Sequence, residues 1–289
     1  MRSLEIPAAD GLMLPASLTE ADDPKAIVLV SPATATPRGF YHSFCRYLAR
    51  CGATTLVYDY RGTFEPPHEL RRSQARMRDW GERDFAAVLR WAAQRYPGIP
   101  IATVGHSVGG HVLLMTPQNA RIERAVLIAS QSGYWRLYRG FERYRVYAFV
   151  KAIMPLLTRA CGYFPGERVV FGTNLAPHVL YEWSRWCTCA GYFFDDPAMN
   201  AVLENARTLS ADVTMIGLTD DPWATSQAIR ALVPGFAQAR VNHVELDPRE
   251  FGLRSIGHMG FFRSANDALW PLAARALALD TAPTPQRTL

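Results

Sequence analysis

The chain has 289 residues, of which 49% are hydrophobic and 20% charged, a composition that excludes a disordered chain and provides for a sizeable core. Its net charge is +5 and its pI is about 9.0. Of its 31 basic residues, all except Lys25 and Lys151 are arginines. This preference for arginine indicates genome composition rather than nucleic-acid binding. The densest basic run, residues 71–78, has no aromatic side chains for base stacking and predicts a solvated helix face or loop.

Cysteine usage and the amino-terminal sequence both favour a cytoplasmic protein. The cysteines are odd in number and form no C-x-x-C pair, so reduced thiols are expected at Cys45, Cys51, Cys161, Cys187 and Cys189. Residues 1–11 lack the apolar core of a signal peptide, and no run reaches the roughly 18 apolar residues of a membrane span. We therefore expect neither secretion nor stable membrane insertion.

Apolar stretches alternate with helical patterns along most of the chain. Strands are predicted at residues 13–18, 26–31, 53–59, 101–104, 125–129, 213–218 and 240–246. Helices are predicted at residues 40–50, 82–95, 107–115, 223–232 and 265–277. The alternation predicts an α/β fold with a mostly parallel, doubly wound sheet and functional groups at the carboxyl ends of its strands. The predicted core comprises residues 1–130 and 206–279, followed by a disordered tail at 280–289.

The loop after the predicted strand 26–31 is a candidate oxyanion-binding loop. A serine that attacks a carbonyl group needs two backbone N–H groups aimed at the developing negative charge, and one of them commonly comes from such a loop. Pro32 has no N–H group, so we favour Thr34 as the donor and keep Ala33 as the alternative.

Residues 105–109 read Gly-His-Ser-Val-Gly, which is the G-x-S-x-G spacing of a nucleophile elbow. A predicted strand precedes them and a helical pattern follows, which is the context that the motif requires. Gly105 and Gly109 give the strand and the helix room to pass on either side of a strained turn. Ser107 is therefore the candidate nucleophile, and the N–H group of Val108 is the candidate second oxyanion donor.

Residues 131–205 interrupt the alternation, contain no convincing strand, and predict a helical cap inserted above the nucleophile. They include 16 of the 33 aromatic residues, and residues 134–148 have apolar side chains at helical spacing. These side chains either form the core of the cap or, together with residues 146–157, line an apolar entrance for an acyl or aryl substrate. Lys151 and Pro155 argue against a membrane anchor here.

An apolar stretch at 213–218 ends in the carboxylate pair Asp220 and Asp221. A carboxylate at the carboxyl end of a parallel strand can hold an imidazole in one tautomer and stabilise its cation. Both aspartates fit this position. We favour Asp221 because the sequence Asp-Pro-Trp-Ala is typical of the turn after this strand, and we assign Asp220 to a turn or helix cap.

Of the seven histidines, His258 is the candidate general base. It lies in the sequence Gly-His-Met-Gly near the carboxyl terminus, which suits a loop over the sheet edge. It also completes the chain order Ser, Asp, His that α/β-hydrolases use. His106 is adjacent to the candidate nucleophile, but we expect its side chain to point away from Ser107 at the turn.

Taken together, these motifs resemble the α/β-hydrolase superfamily, and in particular the bacterial serine-aminopeptidase-like hydrolases. The similar segments are residues 33–34, 40–41, 58–62, 105–109, 181–187, 220–224 and 257–263. The resemblance implies an α/β-hydrolase fold with Ser107, Asp221 and His258 as a catalytic triad. The sequence departs from the family pattern at Ala35, because the oxyanion loop of such hydrolases more often contains a glycine.

We predict a carboxylesterase-like serine hydrolase that cleaves an ester or related acyl compound. No cluster of histidines, cysteines and carboxylates has metal-ligand spacing, so neither a metal nor an organic cofactor is expected. The expected partner is a small-molecule acyl substrate, a homodimer stays open, and nucleic acid is not expected.

Three alternatives remain. An acyltransferase would use the same triad, and a non-catalytic binding protein could retain the fold. An aminopeptidase would need an acidic cluster for the substrate's amino group, for which the predicted cap offers Glu182, Asp195 and Asp196.

Overall fold

Eight strands in residues 1–169 and 172–280, which the computed structural model describes, form one sheet in the order β1-β2-β4-β3-β5-β6-β7-β8. The strands are β1 (Arg2–Pro7), β2 (Met13–Thr19), β3 (Ala26–Ser31), β4 (Ala53–Tyr58), β5 (Ile101–His106), β6 (Ile122–Ile128), β7 (Asp212–Leu218) and β8 (Arg240–Leu246). β2 pairs antiparallel with β1 and β4, and every other pairing is parallel. The prediction of a mostly parallel sheet is confirmed.

The central strands are covered on both faces. Every residue of β3, β4 and β5 is buried, and successive side chains of a strand point to opposite faces. Such strands have nearly continuous apolar sequences, which is why the apolar runs predicted them within a few residues. β1 was missed because it is an edge strand in which only Ile6 is buried, so it has no clear apolar alternation.

Helices connect the strands and extend into the segment between β6 and β7. They are α1 (His42–Arg50), α2 (Pro67–Leu70), α3 (Ala86–Arg95), α4 (His111–Met115), α5 (Glu142–Ala148), α6 (Met154–Cys161), α7 (Gly166–Val169), α8 (Pro177–Cys187), α9 (Asn200–Leu203), α10 (Ser226–Leu232), α11 (Gly257–Gly260) and α12 (Trp270–Ala276). Short 3-10 turns lie at Arg38–Tyr41, Ser107–Gly110, Asn119–Arg121, Trp135–Leu137, Tyr192–Asp195, Pro197–Met199, Glu204–Thr208, Val233–Phe236, Pro248–Phe251 and Ser264–Leu269. π-helical turns lie at Trp80–Phe85 and Phe149–Ile153.

The five predicted helices are present, with different starting points. The helix predicted to begin at residue 223 begins at Ser226, because the Thr225 hydroxyl accepts a hydrogen bond from the Ala228 amide (3.2 Å) and caps the helix there. The loop predicted around His258 contains the single-turn helix α11.

The inserted segment, residues 131–205, contributes no strand to the sheet in its described part, and Leu175 forms isolated bridges with Thr63 and Phe164. The residues with apolar side chains at helical spacing, 134–148, do not form one continuous helix, since Gly140 has a left-handed backbone (φ +54°) between the turn Trp135–Leu137 and α5. The division of the chain into a core and a cap stays a prediction.

Arg78 connects the inserted segment to the part of the chain that precedes it through hydrogen bonds. Its backbone amide and its Nε atom donate to Glu182 of α8 (2.9 and 2.7 Å), and its Nη1 atom donates to the carbonyl oxygen of Ala198 (2.7 Å). The side chain of Arg78 is 13% exposed and that of Glu182 is 4% exposed. The prediction of a fully solvated basic run at residues 71–78 is therefore wrong at Arg78.

Of the predicted carboxyl-terminal tail, the structure describes only Asp280. Residues 281–289 of the predicted tail lie outside the described residues, while Asp280 forms an exposed ion pair with Lys25. Among the helices of the described residues, none is long and apolar enough to cross a lipid bilayer.

Candidate active site

Ser107 lies at the sharp turn between β5 and α4, with a left-handed backbone (φ +54°) that is unusual for a residue with a side chain. The turn depends on close backbone contact. A Cβ atom on Gly105 would lie 2.5 Å from the carbonyl oxygen of Gly109, and one on Gly109 would overlap the carbonyl oxygen of Ser31 in β3. The two motif glycines therefore allow the strand, the turn and β3 to approach each other around Ser107.

Asp221 and His258 are brought together from the ends of β7 and the chain that follows β8. The Nδ1 atom of His258 lies 2.7 Å from Oδ2 of Asp221. A carboxylate only accepts hydrogen bonds, so Nδ1 carries the proton and Nε2 has the lone pair of the neutral ring. The other oxygen of Asp221 accepts from the amides of Trp223 and Ala224 (2.8 and 3.1 Å), which fixes the carboxylate.

Asp220 has a separate task in the same turn. Its carboxylate accepts hydrogen bonds from the Ser255 hydroxyl (2.8 Å) and from the amides of Ile256 (2.8 Å) and Gly257 (3.0 Å). Partial burial acts to raise the pKa of Asp220, but these hydrogen bonds outweigh it and the pKa is lowered. Asp220 thus holds the backbone that precedes His258, while Asp221 contacts the ring.

The oxyanion-loop candidates differ in what their amides already bind. The N–H group of Ala33 donates to the Tyr41 hydroxyl (2.8 Å). The amide of Ala33, the alternative candidate, is therefore already engaged, and the role of Thr34 stays a prediction. Val108 is the second residue of its helical turn, so its N–H group has no intrahelical acceptor. Ala35, where a glycine is more common in similar hydrolases, has a left-handed backbone (φ +58°).

His106 connects the oxyanion loop to His258, a role that the sequence did not reveal. Its ring is fully buried, with Nε2 2.9 Å from the carbonyl oxygen of His258 and Nδ1 2.8 Å from the Tyr41 hydroxyl. Burial lowers the pKa of His106 to about 3, with the neighbouring His258 adding to the effect, so the ring is neutral.

The partners of His106 fix the direction of every hydrogen bond in this chain of contacts. A carbonyl oxygen only accepts, so Nε2 carries the single ring proton and donates to His258. Nδ1 must then accept from Tyr41, whose oxygen accepts in turn from Ala33. The connection therefore runs from Ala33 through Tyr41 and His106 to the carbonyl oxygen of His258, and the Tyr41 hydroxyl both accepts and donates within it.

Ser107 and His258 line one cavity of about 270 Å³. The sides of this cavity come from the oxyanion loop and from the inserted segment, and they are mainly apolar or aromatic. Its lining includes Ala33, Thr34, Ala35, Thr36, Val108, His111, Gln131, Gly133, Tyr138, Gly172, Trp183, Tyr192, Trp223 and Met259. Residues of the inserted segment thus line the same cavity as the candidate nucleophile. Four of the five predicted site residues border this cavity, and the fifth, Asp221, contacts His258, which borders it.

No group of three or more metal-ligating side chains could hold a metal ion in the part of the chain that the structure describes. None of the five cysteines, all of which lie in the described part of the chain, forms a disulfide.

A family model described as serine aminopeptidase, S33 (Hydrolase_4) matches residues 22–183, more than half of the chain. The chain belongs to this family. It is an α/β serine hydrolase with the α/β-hydrolase fold, as the sequence motifs predicted. The matched range includes the oxyanion loop and the Ser107 elbow, whereas Asp221 and His258 lie beyond it. No curated protein matches the chain.

Solved structures share the fold at low identity. An esterase domain from Rhodothermus marinus has a TM-score of 0.54 and 15% identity, over 96% of this chain and 98% of that one. The esterase Pf2001 from Pyrococcus furiosus has a TM-score of 0.55 and 15% identity, over 96% and 91%. XC6422 from Xanthomonas campestris, an α/β serine hydrolase without a lid, has a TM-score of 0.52 and 13% identity, over 98% and 96%.

Replacing Tyr41 by Phe tests the connection through His106. The change leaves the Ala33 amide and His106 Nδ1 buried without a partner, so we expect a loss of roughly 1–3 kcal/mol in the free energy of unfolding. Because the oxyanion loop is then less well held, kcat should fall about ten-fold with little change in KM. Urea unfolding and steady-state kinetics measure the two effects. Tyr47→Phe, the same change in the helix α1 that follows Tyr41, is the control. If Tyr47→Phe lost as much activity as Tyr41→Phe, the assignment would be contradicted.

His111 provides a test of the buried histidines. Burial lowers its pKa from 6.5 to about 4, so the unfolded chain binds its proton more readily. Stability from this group is therefore fully present above about pH 6.5 and is lost as the pH falls toward 4. In His111→Gln, the slope of unfolding free energy against pH in this window should be shallower by about 1.4 kcal/mol per pH unit. An unchanged slope in urea titrations at several pH values would show that His111 is protonated in the folded state.

Proposed function

We propose that this chain is an esterase that uses Ser107, His258 and Asp221 as a catalytic triad. The observation that carries the proposal is the hydrogen bond from His258 Nδ1 to the buried carboxylate of Asp221, at a cavity that Ser107 also lines. Supporting it are the left-handed elbow at Ser107 and the family to which the chain belongs. The esterases of similar fold point in the same direction.

The reaction follows from the protonation states at the site. His258 holds its proton on Nδ1, so Nε2 is available to take the proton of the Ser107 hydroxyl as Oγ attacks the ester carbonyl carbon. The carbonyl oxygen becomes an oxyanion that the N–H groups of Thr34 and Val108 stabilise. His258 then protonates the leaving alcohol, which departs as the acyl-enzyme forms. A water molecule, deprotonated by His258, releases the acid and restores Ser107.

The cavity indicates a small acyl group. Its volume of about 270 Å³ lies near the lower end of small-molecule sites, and its aromatic lining suits an apolar group. We propose that the inserted segment acts as a cap that excludes water from this cavity, since its residues Tyr138, Trp183 and Tyr192 contribute large aromatic side chains to the lining.

The aminopeptidase alternative is less well supported, because the acidic residues available for an amino group are already engaged. Glu182 pairs with Arg78, and Asp196 pairs with Arg185 and accepts from the Trp186 indole (2.7 Å). Asp195 accepts from the amide of Gly191 (2.6 Å). None of these three carboxylates borders the Ser107 cavity in the part of the chain that the structure describes.

Ser107→Ala tests the nucleophile. We expect hydrolysis of p-nitrophenyl butyrate to fall by roughly four to six orders of magnitude, because the acyl-enzyme can no longer form. Labelling by a fluorophosphonate probe should be lost as well. The matched control is Ser130→Ala at the end of the neighbouring strand β6, whose buried hydroxyl has no hydrogen-bond partner among the described residues. Retention of turnover in Ser107→Ala would exclude this mechanism.

The two adjacent aspartates allow a matched comparison. Asp221→Asn should lower kcat by about four orders of magnitude, because an amide no longer fixes the tautomer of His258 or stabilises its cation. Asp220→Asn removes the same charge one residue away and should reduce kcat only about ten-fold, through a looser backbone at residues 255–257. Steady-state kinetics on both variants decide the assignment, and a larger loss in Asp220→Asn than in Asp221→Asn would reverse it.

A further inference from the structure

The helical stretch of residues 142–161, here called the outer helix, packs against the rest of the described chain through a few buried side chains and through the partly buried Phe149, Leu157 and Cys161. Residues 142–161 run continuously through α5, a π-helical turn and α6. Their buried side chains are Val146, Val150, Met154 and Thr158, which recur at intervals of four residues on one line. Most of the circumference of this helix therefore faces away from the rest of the described chain.

Large apolar side chains are concentrated on the face that is left uncovered. Of the ten exposed large hydrophobic residues of the described chain, five lie in this region, namely Phe141 (75% exposed), Tyr144, Tyr147, Ile153 and Leu156 (65%). The three aromatic residues among them contact one another through Trp135, whose ring centroid lies 4.6 Å from that of Tyr147 and 6.1 Å from that of Tyr144, and through Phe141, 6.1 Å from Tyr144. Exposed aromatic clusters of this kind mark interaction sites.

Basic side chains surround these aromatic groups. The segment 134–160 contains one acidic residue, Glu142, and six basic ones: Arg136, Arg139, Arg143, Arg145, Lys151 and Arg159. Its net charge of +5 equals that of the whole chain, so the remaining residues are neutral overall. The guanidinium groups of Arg136 and Arg143 lie over the rings of Trp135 and Tyr144 at 5.1 and 4.9 Å. We call this surface, from Trp135 to Arg159, the basic aromatic face.

An apolar groove lies along the same helix. It has a volume of about 500 Å³ and is lined by Val146, Phe149, Ile153 and Met154 from the helix, with Trp183 and Trp223 opposite. Trp183 and Trp223 also border the Ser107 cavity, so the groove and the cavity are neighbours. The basic aromatic face thus combines surface charge with a recess that fits a hydrocarbon chain.

We propose that the basic aromatic face binds the surface of an anionic lipid bilayer. A helix with aromatic and aliphatic side chains among arginines and lysines lies in the plane of a bilayer, with its apolar groups at the boundary of headgroups and acyl chains. The positive charge selects anionic headgroups. This contact is peripheral. It needs neither the membrane anchor that Lys151 and Pro155 argue against nor a membrane-spanning helix, which the described residues lack. It goes beyond the proposed esterase activity and does not depend on it.

Sedimentation with vesicles tests the proposal. The purified full-length chain should bind vesicles of equal parts phosphatidylglycerol and phosphatidylcholine much more tightly than vesicles of phosphatidylcholine alone, and binding should weaken as salt is raised. The triple variant Arg136→Gln, Arg139→Gln, Arg143→Gln should bind the anionic vesicles roughly a hundred-fold more weakly. The control Arg207→Gln, Arg240→Gln, Arg249→Gln removes the same charge elsewhere and should bind nearly as the parent chain does.

The apolar contribution is tested separately. Phe141→Ser with Leu156→Ser should weaken vesicle binding at least ten-fold, whereas Leu12→Ser with Met13→Ser, two exposed hydrophobic residues near β2, should not. Thermal unfolding checks that each variant is folded. Equal binding to both vesicle types, or no difference between face and control variants, would overturn the proposal. So would a dimer in size-exclusion chromatography that the Phe141 and Leu156 variant dissociates, because the face would then be an interface between two copies.

Discussion

The close approach of three backbones at the elbow is the constraint on which the rest of the site depends. Ser107 has a left-handed backbone, and Gly105 and Gly109 leave no room for a Cβ atom between β5, the turn and the end of β3. This contact places Ser107, the proposed nucleophile, beside the loop after β3 that contains the proposed oxyanion donor Thr34. Because the parallel strands all end at the same edge, the turns after β7 and β8 then reach the same point. The side chains of the proposed triad thus meet at the edge of the sheet where the parallel strands end.

Neutral and charged groups are separated within this small volume. His106 is buried, uncharged and fully hydrogen-bonded, so it connects two loops without adding a charge beneath the proposed oxyanion. The adjacent carboxylates make different contacts. Asp220 accepts hydrogen bonds from the backbone that precedes His258, and Asp221 accepts one from the His258 ring. A single carboxylate could not do both, since each already accepts several hydrogen bonds. The pair of aspartates in the sequence is therefore explained by two contacts rather than by redundancy.

The sequence predicted what short-range patterns encode. Continuous apolar runs identified the buried strands, and the glycines around Ser107 identified the elbow. The sequence could not reveal the role of His106, because its partners Tyr41 and His258 lie 65 and 152 residues away along the chain. The same is true of Arg78, whose partner Glu182 is 104 residues distant and turns a basic run into a structural contact. The edge strand β1 was missed because one buried side chain does not make a periodic pattern.

The outer helix, residues 142–161, has only four buried side chains, and this affects how easily it opens locally. Local opening costs little where few apolar side chains are buried, and the amide hydrogens of such an element exchange with solvent long before those of a strand buried on both faces. Residues 142–161 can therefore loosen while β3, β4 and β5 remain intact. The side of the groove formed by this helix would then change shape, whereas none of residues 142–161 lines the Ser107 cavity, so the groups that border that cavity would stay in place.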